Sequence, residues 1–159
     1  VNDIFTIDFP QNITQVHFIK LRLFDTKGKE VANTFYWRSN DKYEGRKTLT
    51  GPTSSGFEDL SKLKQVQLKT RYQTYQEGDR HFIKAEIKNP SSTVAFFTQL
   101  QLLGQDKKPV RPSFYTDNFF SLLPGESKTV IIETAASDMP SEPTFVVKGW
   151  NIKPSSFKL

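Results

Sequence analysis

Carboxylates, imidazoles and aromatic rings are the groups in this chain that could do chemistry, and their spacing decides which chemistry is open to them. Glu58 with Asp59, Glu77 with Asp79, and Asp117 are the carboxylates placed near chain bends. Acetal hydrolysis needs two carboxyl groups across the bond, one with a raised pKa. Glu58-Asp59 falls in a loop-like stretch, Glu77 and Asp79 flank a Gly turn, and Asp117 has no partner visible in the sequence. Such residues are ordinarily solvated, so no catalytic residue is assigned. His17 and His81 lack a His-x-x-x-His spacing and the chain has no Cys, so neither metal ligation nor thiolate catalysis is expected. Both histidines read as strand residues on an outer face. No Gly-x-Ser-x-Gly turn and no phosphate-cradling Gly motif occurs, and no cofactor is expected.

Ring stacking is the better-supplied chemistry. Tyr36, Trp37, Tyr43, Tyr72, Tyr75, Phe114, Tyr115 and Trp150 are candidate platforms for a sugar ring, with Asp117 and Asn118 beside them as polar contacts. The competing reading is plain: an aromatic on a strand is more often core than platform. Asn12-Ile13-Thr14 fits the N-glycosylation pattern, Asn89-Pro90-Ser91 is excluded by its Pro, and no function is assigned to the match.

The elements that must hold these residues are strands. Hydrophobic residues make up 36% and charged ones 25% of 159 residues, which suits a soluble domain whose strands each show one face to water. Of the aromatics, 14 are Phe, concentrated in strand-like runs. The net charge of +5 comes from dispersed Lys and Arg, not from one basic stripe. Dispersed Lys on strand edges opposes edge-to-edge aggregation, so no nucleic-acid partner is expected. No run reaches the length of a membrane span, and Val1-Asn2-Asp3 lacks the regions of a signal peptide.

Along the chain, residues 4–10 alternate as a short strand ended by Pro10, and residues 16–24 and 30–38 form a hairpin around Asp25-Thr26-Lys27-Gly28-Lys29. Roughly three strands bury little core. These residues must therefore pack on something, pair with a second copy, or belong to a larger sandwich. Residues 39–61 lose periodicity through Gly45, Gly51, Pro52 and Gly56, which places a boundary here, with a short helical or 3₁₀ turn near residues 57–60 capped by Ser55. From Lys64 onward six strands recur: 65–74 with Val66, Leu68, Thr70 and Tyr72 on one face, then 82–88, 94–103, 110–120, 127–134 and 145–152. A break at Asp117-Asn118 makes seven. Pro124-Gly125 sets a sharp turn after the stretch Phe114 to Leu123. Short strands at even spacing with no helical pattern predict an all-β, antiparallel immunoglobulin-like or fibronectin type III-like sandwich, preceded by a partial β section.

Three blocks carry a resemblance: Ser92-Thr93-Val94-Ala95-Phe96-Phe97-Thr98, the stretch from Phe114 to Glu126, and Val146-Val147-Lys148-Gly149-Trp150-Asn151. In this order and spacing they resemble the C-terminal immunoglobulin-like domain of glycoside hydrolase family 2 enzymes of the exo-β-D-glucosaminidase and β-mannosidase type. Asn33 to Ser39 resembles the last strand of the preceding immunoglobulin-like domain. Thr116 departs from the Ser expected in many relatives.

The resemblance implies a division into residues 1–40, the end of a preceding immunoglobulin-like domain; a linker at 41–61; a C-terminal sandwich at 62–153; and a tail at 154–159. It implies a non-catalytic accessory domain of a retaining exo-acting enzyme that removes β-linked glucosamine or mannose from oligosaccharides. Its partners would be the catalytic barrel and other domains of that hydrolase, with an oligosaccharide or a second copy bound through residues 1–40 as further partners, and its location periplasmic or secreted. Tyr115, Asp117, Asn118, Phe119 and Trp150 would lie at the substrate rim or a domain contact. A carbohydrate-binding module and a freestanding adhesion or interaction domain stand as alternatives. The accessory reading expects Phe119, Phe120, Leu122 and Trp150 to be mainly buried, with an apolar patch exposed where the missing partner domain would sit. The adhesion reading expects residues 1–40 to complete the sandwich.

Overall fold

A computed structural model describes residues 5–40 and 56–159. Residues 41–55 of the expected linker at 41–61, with the Ser55 cap and Tyr43, and Ile4 lie outside the described residues. The chain divides into two units, Val1–Lys62 and Leu63–Leu159.

The first unit holds an antiparallel hairpin of β1 (Val16–Phe24) and β2 (Glu30–Ser39), in register from Val16 opposite Ser39 to Leu23 opposite Ala32. One carboxylate shapes its turn. Asp25 Oδ1 accepts from the backbone N–H of Lys27 and of Lys29, both at 2.9 Å, and Gly28 at φ +78° donates its N–H to the Asp25 carbonyl. Residues 5–10 are irregular and exposed, which corrects the expected third strand. Alternating Phe and Ile give that segment a strand-like face, but alternation supplies no backbone partners. His17 is also corrected: it is buried, edge-on to Phe9 at 5.4 Å, and neither ring nitrogen has a hydrogen-bond partner. The expected 3₁₀ turn occurs at Glu58–Lys62, around buried Leu60.

The second unit is an all-β sandwich of eight strands: β3 (Lys69–Glu77), β4 (Arg80–Lys88), β5 (Ala95–Leu103), β6 (Phe114–Tyr115), β7 (Phe120–Leu122), β8 (Ser127–Ala135), β9 (Thr144–Lys148) and β10 (Ser155–Lys158). One sheet runs β3-β4-β8-β6 and the other β10-β9-β5-β7, with antiparallel pairing throughout. Neither sheet includes β1 or β2, so the strands of the first unit do not complete the sandwich.

The core comes from alternation on facing sheets. Ile83, Ala85 and Ile87 of β4 and Val130 and Ile132 of β8 turn inward toward Leu100 and Leu102 of β5 and Phe145 and Val147 of β9. Full burial of side chains this size contributes about 1.5–3 kcal/mol each. Tyr72 lies on the same face as Thr70, opposite inward Ala85, and stays partly exposed on edge strand β3, where its ring meets Phe145 at 6.2 Å and its hydroxyl donates to the Lys158 carbonyl at 3.0 Å.

The expected tail is corrected to a strand. Four residues of β10 pair with β9, and Phe157 packs between Tyr72 and Phe145 at ring distances of 5.5 and 5.8 Å. Lys153-Pro154 before it and the serines that open it hide that strand from pattern reading, because one Phe among polar residues shows no period. The strand expected over 145–152 ends at Lys148. Gly149 follows because a Cβ there would stand 2.8 Å from the Phe97 carbonyl oxygen and 2.5 Å from Ile152 Cδ1.

Candidate contact surface at the sheet crossing

The stretch expected as one strand over 110–120 serves both sheets. Phe114 and Tyr115 pair with Glu133 and Ile132 of β8, whereas Phe120 and Leu122 pair with Thr98 and Ala95 of β5. The chain therefore changes sheets within residues 116–119. Thr116 makes the last contact with β8: its N–H donates to the Ile131 carbonyl at 3.0 Å, and its Oγ1 accepts the Ile131 N–H at 2.9 Å. A Thr hydroxyl thus fills the place for which Ser was expected.

Past Phe120, β7 no longer covers the edge of β5, and side chains take over from backbone. Asn118 Oδ1 accepts the Leu100 N–H at 2.8 Å, and Asn118 Nδ2 donates to the Leu100 carbonyl at 3.0 Å. Two residues on, the Leu102 N–H donates to Tyr115 Oη at 3.0 Å, and the Val110 N–H donates to the Leu102 carbonyl at 3.0 Å. An amide and a phenol stand in for a strand. Burial raises the Tyr115 pKa above its ordinary value of 10.0, against the opposing pull of the Leu102 N–H.

Asp117 is consumed as well. Its Oδ1 accepts the Asn118 N–H at 2.7 Å, and its Oδ2 pairs with Lys128 Nζ, which also lies over the Phe120 ring, 5.1 Å from the centroid. Asn151, buried, closes the neighbouring edge. Its Oδ1 accepts the Phe96 N–H at 2.9 Å, while Nδ2 donates to the carbonyls of Lys64 and Val94 at 2.9 and 2.8 Å.

What faces outward is aromatic. Phe97 occupies a bulge of β5, where Ala95 to Thr98 opposes Leu122 to Phe120, and φ there is +58°. Phe119 stands at φ +57° with its ring 5.5 Å from that of Phe97. Trp150 follows the tight Gly149, its N–H donating to the Phe96 carbonyl at 3.0 Å. Phe97 is 39%, Phe119 49% and Trp150 59% exposed, so the Phe97–Phe119 ring pair and, through its backbone tie to Phe96, Trp150 present large rings to the outside. A bulky residue at positive φ costs of order 1–3 kcal/mol, and two of them hold the paired rings here.

The family model described as the exo-beta-D-glucosaminidase Ig-fold domain matches residues 48–152. The chain belongs to this family. Among curated relatives, the exo-beta-D-glucosaminidase of Streptomyces avermitilis is 30% identical over 149 residues, covering 87% of this chain and 16% of the relative. That of Amycolatopsis orientalis is 27% identical over 157 residues, covering 92% and 15%. The crystal structure of the Amycolatopsis orientalis exo-chitosanase CsxA superposes with a TM-score of 0.80 at 24% identity, over 96% of this chain and 19% of that one. A complex of a CsxA variant with PNP-beta-D-glucosamine gives 0.81 at 24% identity, over 98% and 19%. The chain thus spans about a sixth of the length of the curated relatives it matches.

Within this exo-β-D-glucosaminidase Ig-fold domain, the five residues singled out from sequence separate into two groups. Tyr115, Asp117 and Asn118 turn inward or pair locally, and they build the crossing. Phe119 and Trp150 face out, which corrects the expectation that they are mainly buried; Phe120 and Leu122 are buried as expected. Sequence reading did not single out Phe97, although the alternation of buried Phe96, Thr98, Leu100 and Leu102 leaves it on the outer face. The doubled Phe96-Phe97 was the available signal: two adjacent Phe residues cannot both face one core in a regular strand.

Proposed function

We propose that this chain is the non-catalytic accessory sandwich of a larger family 2 glycoside hydrolase that removes β-linked glucosamine from oligosaccharide ends, with its aromatic edge set against the catalytic barrel or the substrate rim. One observation carries the reading. At the crossing the side chains of Tyr115, Thr116, Asp117 and Asn118 are all engaged within the domain, so the outward surface offers rings and no acid–base pair. Glucosamine is favoured over mannose because the matched family and both curated relatives carry glucosaminidase names. In this reading the parent enzyme acts with retention, residues 1–40 end a preceding immunoglobulin-like domain, residues 41–61 link it to the sandwich, and the protein works in the periplasm or outside the cell.

The test is a chimera in which this chain replaces the matching sixth of the Streptomyces avermitilis enzyme. Deletion of that part is expected to abolish hydrolysis of chitosan oligosaccharides, and this chain to restore it, less well with Trp150→Ala and Phe119→Ala together. Full activity of the deleted enzyme, or hydrolysis by this chain alone, would sink the proposal. The exposure of Trp150 also favours direct oligosaccharide binding. Calorimetric titration of the isolated chain with chitosan oligosaccharides, beside Trp150→Ala, tests that second reading. Heat that Trp150→Ala removes supports it, and none at millimolar ligand rejects it. Pairing of two copies through residues 1–40 is tested by mass in solution.

A further inference from the structure

On the outer face of β3, β4 and β8, Lys69 stands directly opposite Lys88, and Arg71 opposite Glu86 in the next outward row. Lys84 follows one outward row later, about 7 Å along the strand. Like charges directly opposite destabilise a strand pair, yet this face keeps four exposed cations around one carboxylate. Arg71 makes no ion pair with any described residue, although Glu86 is its cross-strand neighbour. A shallow groove of about 340 Å³ runs between Arg71 and Gln73 of β3, Lys84 and Glu86 of β4, and Thr129 of β8. One outward row beyond it, Tyr75 and Phe82 stack at 5.0 Å and 11°, and exposed Phe114 lies in the same row.

We propose that this face binds an acidic polysaccharide of the uronate type, whose ring carboxylates pair with Lys69, Lys88 and Arg71. Charge complementarity selects the sign, since an anion between Lys69 and Lys88 relieves their repulsion and Arg71 can grip a carboxylate with two parallel N–H donors. The groove selects a glycan over a nucleic acid. Gln73, Glu86 and Thr129 line the groove between the cations and can hydrogen-bond sugar hydroxyls, which a uronate chain carries on every ring and a DNA phosphodiester backbone lacks. This ligand carries the opposite charge to an amino-sugar polymer, so the inference is independent of the function proposed above.

Affinity electrophoresis of the 159-residue chain in polygalacturonate tests it. The triple variant Lys69→Ala, Arg71→Ala, Lys88→Ala is compared with a control of equal charge, Lys27→Ala, Lys64→Ala, Lys153→Ala. Retardation that fades with salt is expected, weakened roughly tenfold by the first triple and hardly by the second. All six positions are exposed, and melting curves verify that both variants fold. Equal loss in the two triples would reduce the effect to net charge and overturn the assignment. So would absence of retardation at low salt, or tighter binding to single-stranded DNA or phosphatidylglycerol vesicles than to polygalacturonate.

Discussion

β1 of the hairpin and β4 of the sandwich are both nine-residue strands with alternating apolar residues, yet they bury them differently. In β4, burial alternates: Ile83, Ala85 and Ile87 are buried while Lys84, Glu86 and Lys88 between them are exposed. In β1, burial is graded along the strand, from Val16 and His17 to the exposed Arg22, Leu23 and Phe24. Alternation therefore specifies a strand, but it becomes alternate burial only where a second sheet faces it. β4 lies between β3 and β8 and across from β5 and β9, whereas β1 has one strand neighbour.

Core truncation should expose this difference most. Phe145→Ala is expected to destabilise the sandwich by about 3–5 kcal/mol, because Phe145 is fully buried between Tyr72, Phe157 and the β5 leucines. Phe35→Ala, which removes a half-buried ring 5.6 Å from Phe18 in the hairpin, should cost at most about 1.5 kcal/mol. Thermal melts followed by near-ultraviolet circular dichroism would decide. Equal losses would mean that the hairpin carries a core of its own weight, and the contrast would fail.

The next effect lies at the β5 edge. Asn118→Ala leaves the Leu100 N–H and carbonyl without their partner, so a loss of about 2–3 kcal/mol is expected from the melt. A change below about 0.5 kcal/mol would mean that water or backbone replaces the amide at no cost. The same edge should respond to alkali. Burial holds the Tyr115 pKa above 10.0 in the folded chain, so the folded state keeps its proton where the unfolded chain gives it up. Stability is then full below pH 10 and falls as pH rises through the folded pKa. Tyr115→Phe should flatten that fall, and an unchanged alkaline slope would assign it to other groups.

Most of the architecture was legible in the sequence, and the exceptions have physical causes. Strands β3 to β5, β8 and β9 show in period-two alternation because each has one wet face. The crossing could be read only as a kink at Asp117-Asn118, since the pairing that sends β6 to one sheet and β7 to the other depends on long-range partners. β10 was hidden for the same reason: its one half-buried ring gains meaning only beside Tyr72 and Phe145. At the candidate surface, residue type pointed to Asp117 and Asn118 as polar contacts, yet backbone groups left open at a sheet edge compete for such side chains and win. Phe97 faces out in step with buried Phe96, Thr98 and Leu100, and what composition could not show is the bulge that buries Ala95 beside Phe96.

The remaining strain at the surface offers a smaller, stabilising test. Phe119→Asn places a residue that tolerates positive φ where Phe is strained, and it should raise stability by up to about 1 kcal/mol. If the paired rings exist for contact, the same change should weaken the chimeric hydrolase. A variant that melts higher and still supports full activity would leave the ring pair without a role in contact.

The smallest effect on the sandwich should come from the hairpin turn. Asp25→Ala removes the acceptor of the Lys27 and Lys29 N–H groups and should loosen the turn by about 1 kcal/mol. Amide hydrogen exchange resolved by residue would show faster exchange in β1 and β2 and none of that acceleration in β4 or β8. The turn belongs to the first unit, and β4 and β8 belong to the second. Acceleration that spread to Ile83 and Ile132 would show the units to be one cooperative body. The graded burial of β1 would then reflect a shared core and not a missing sheet.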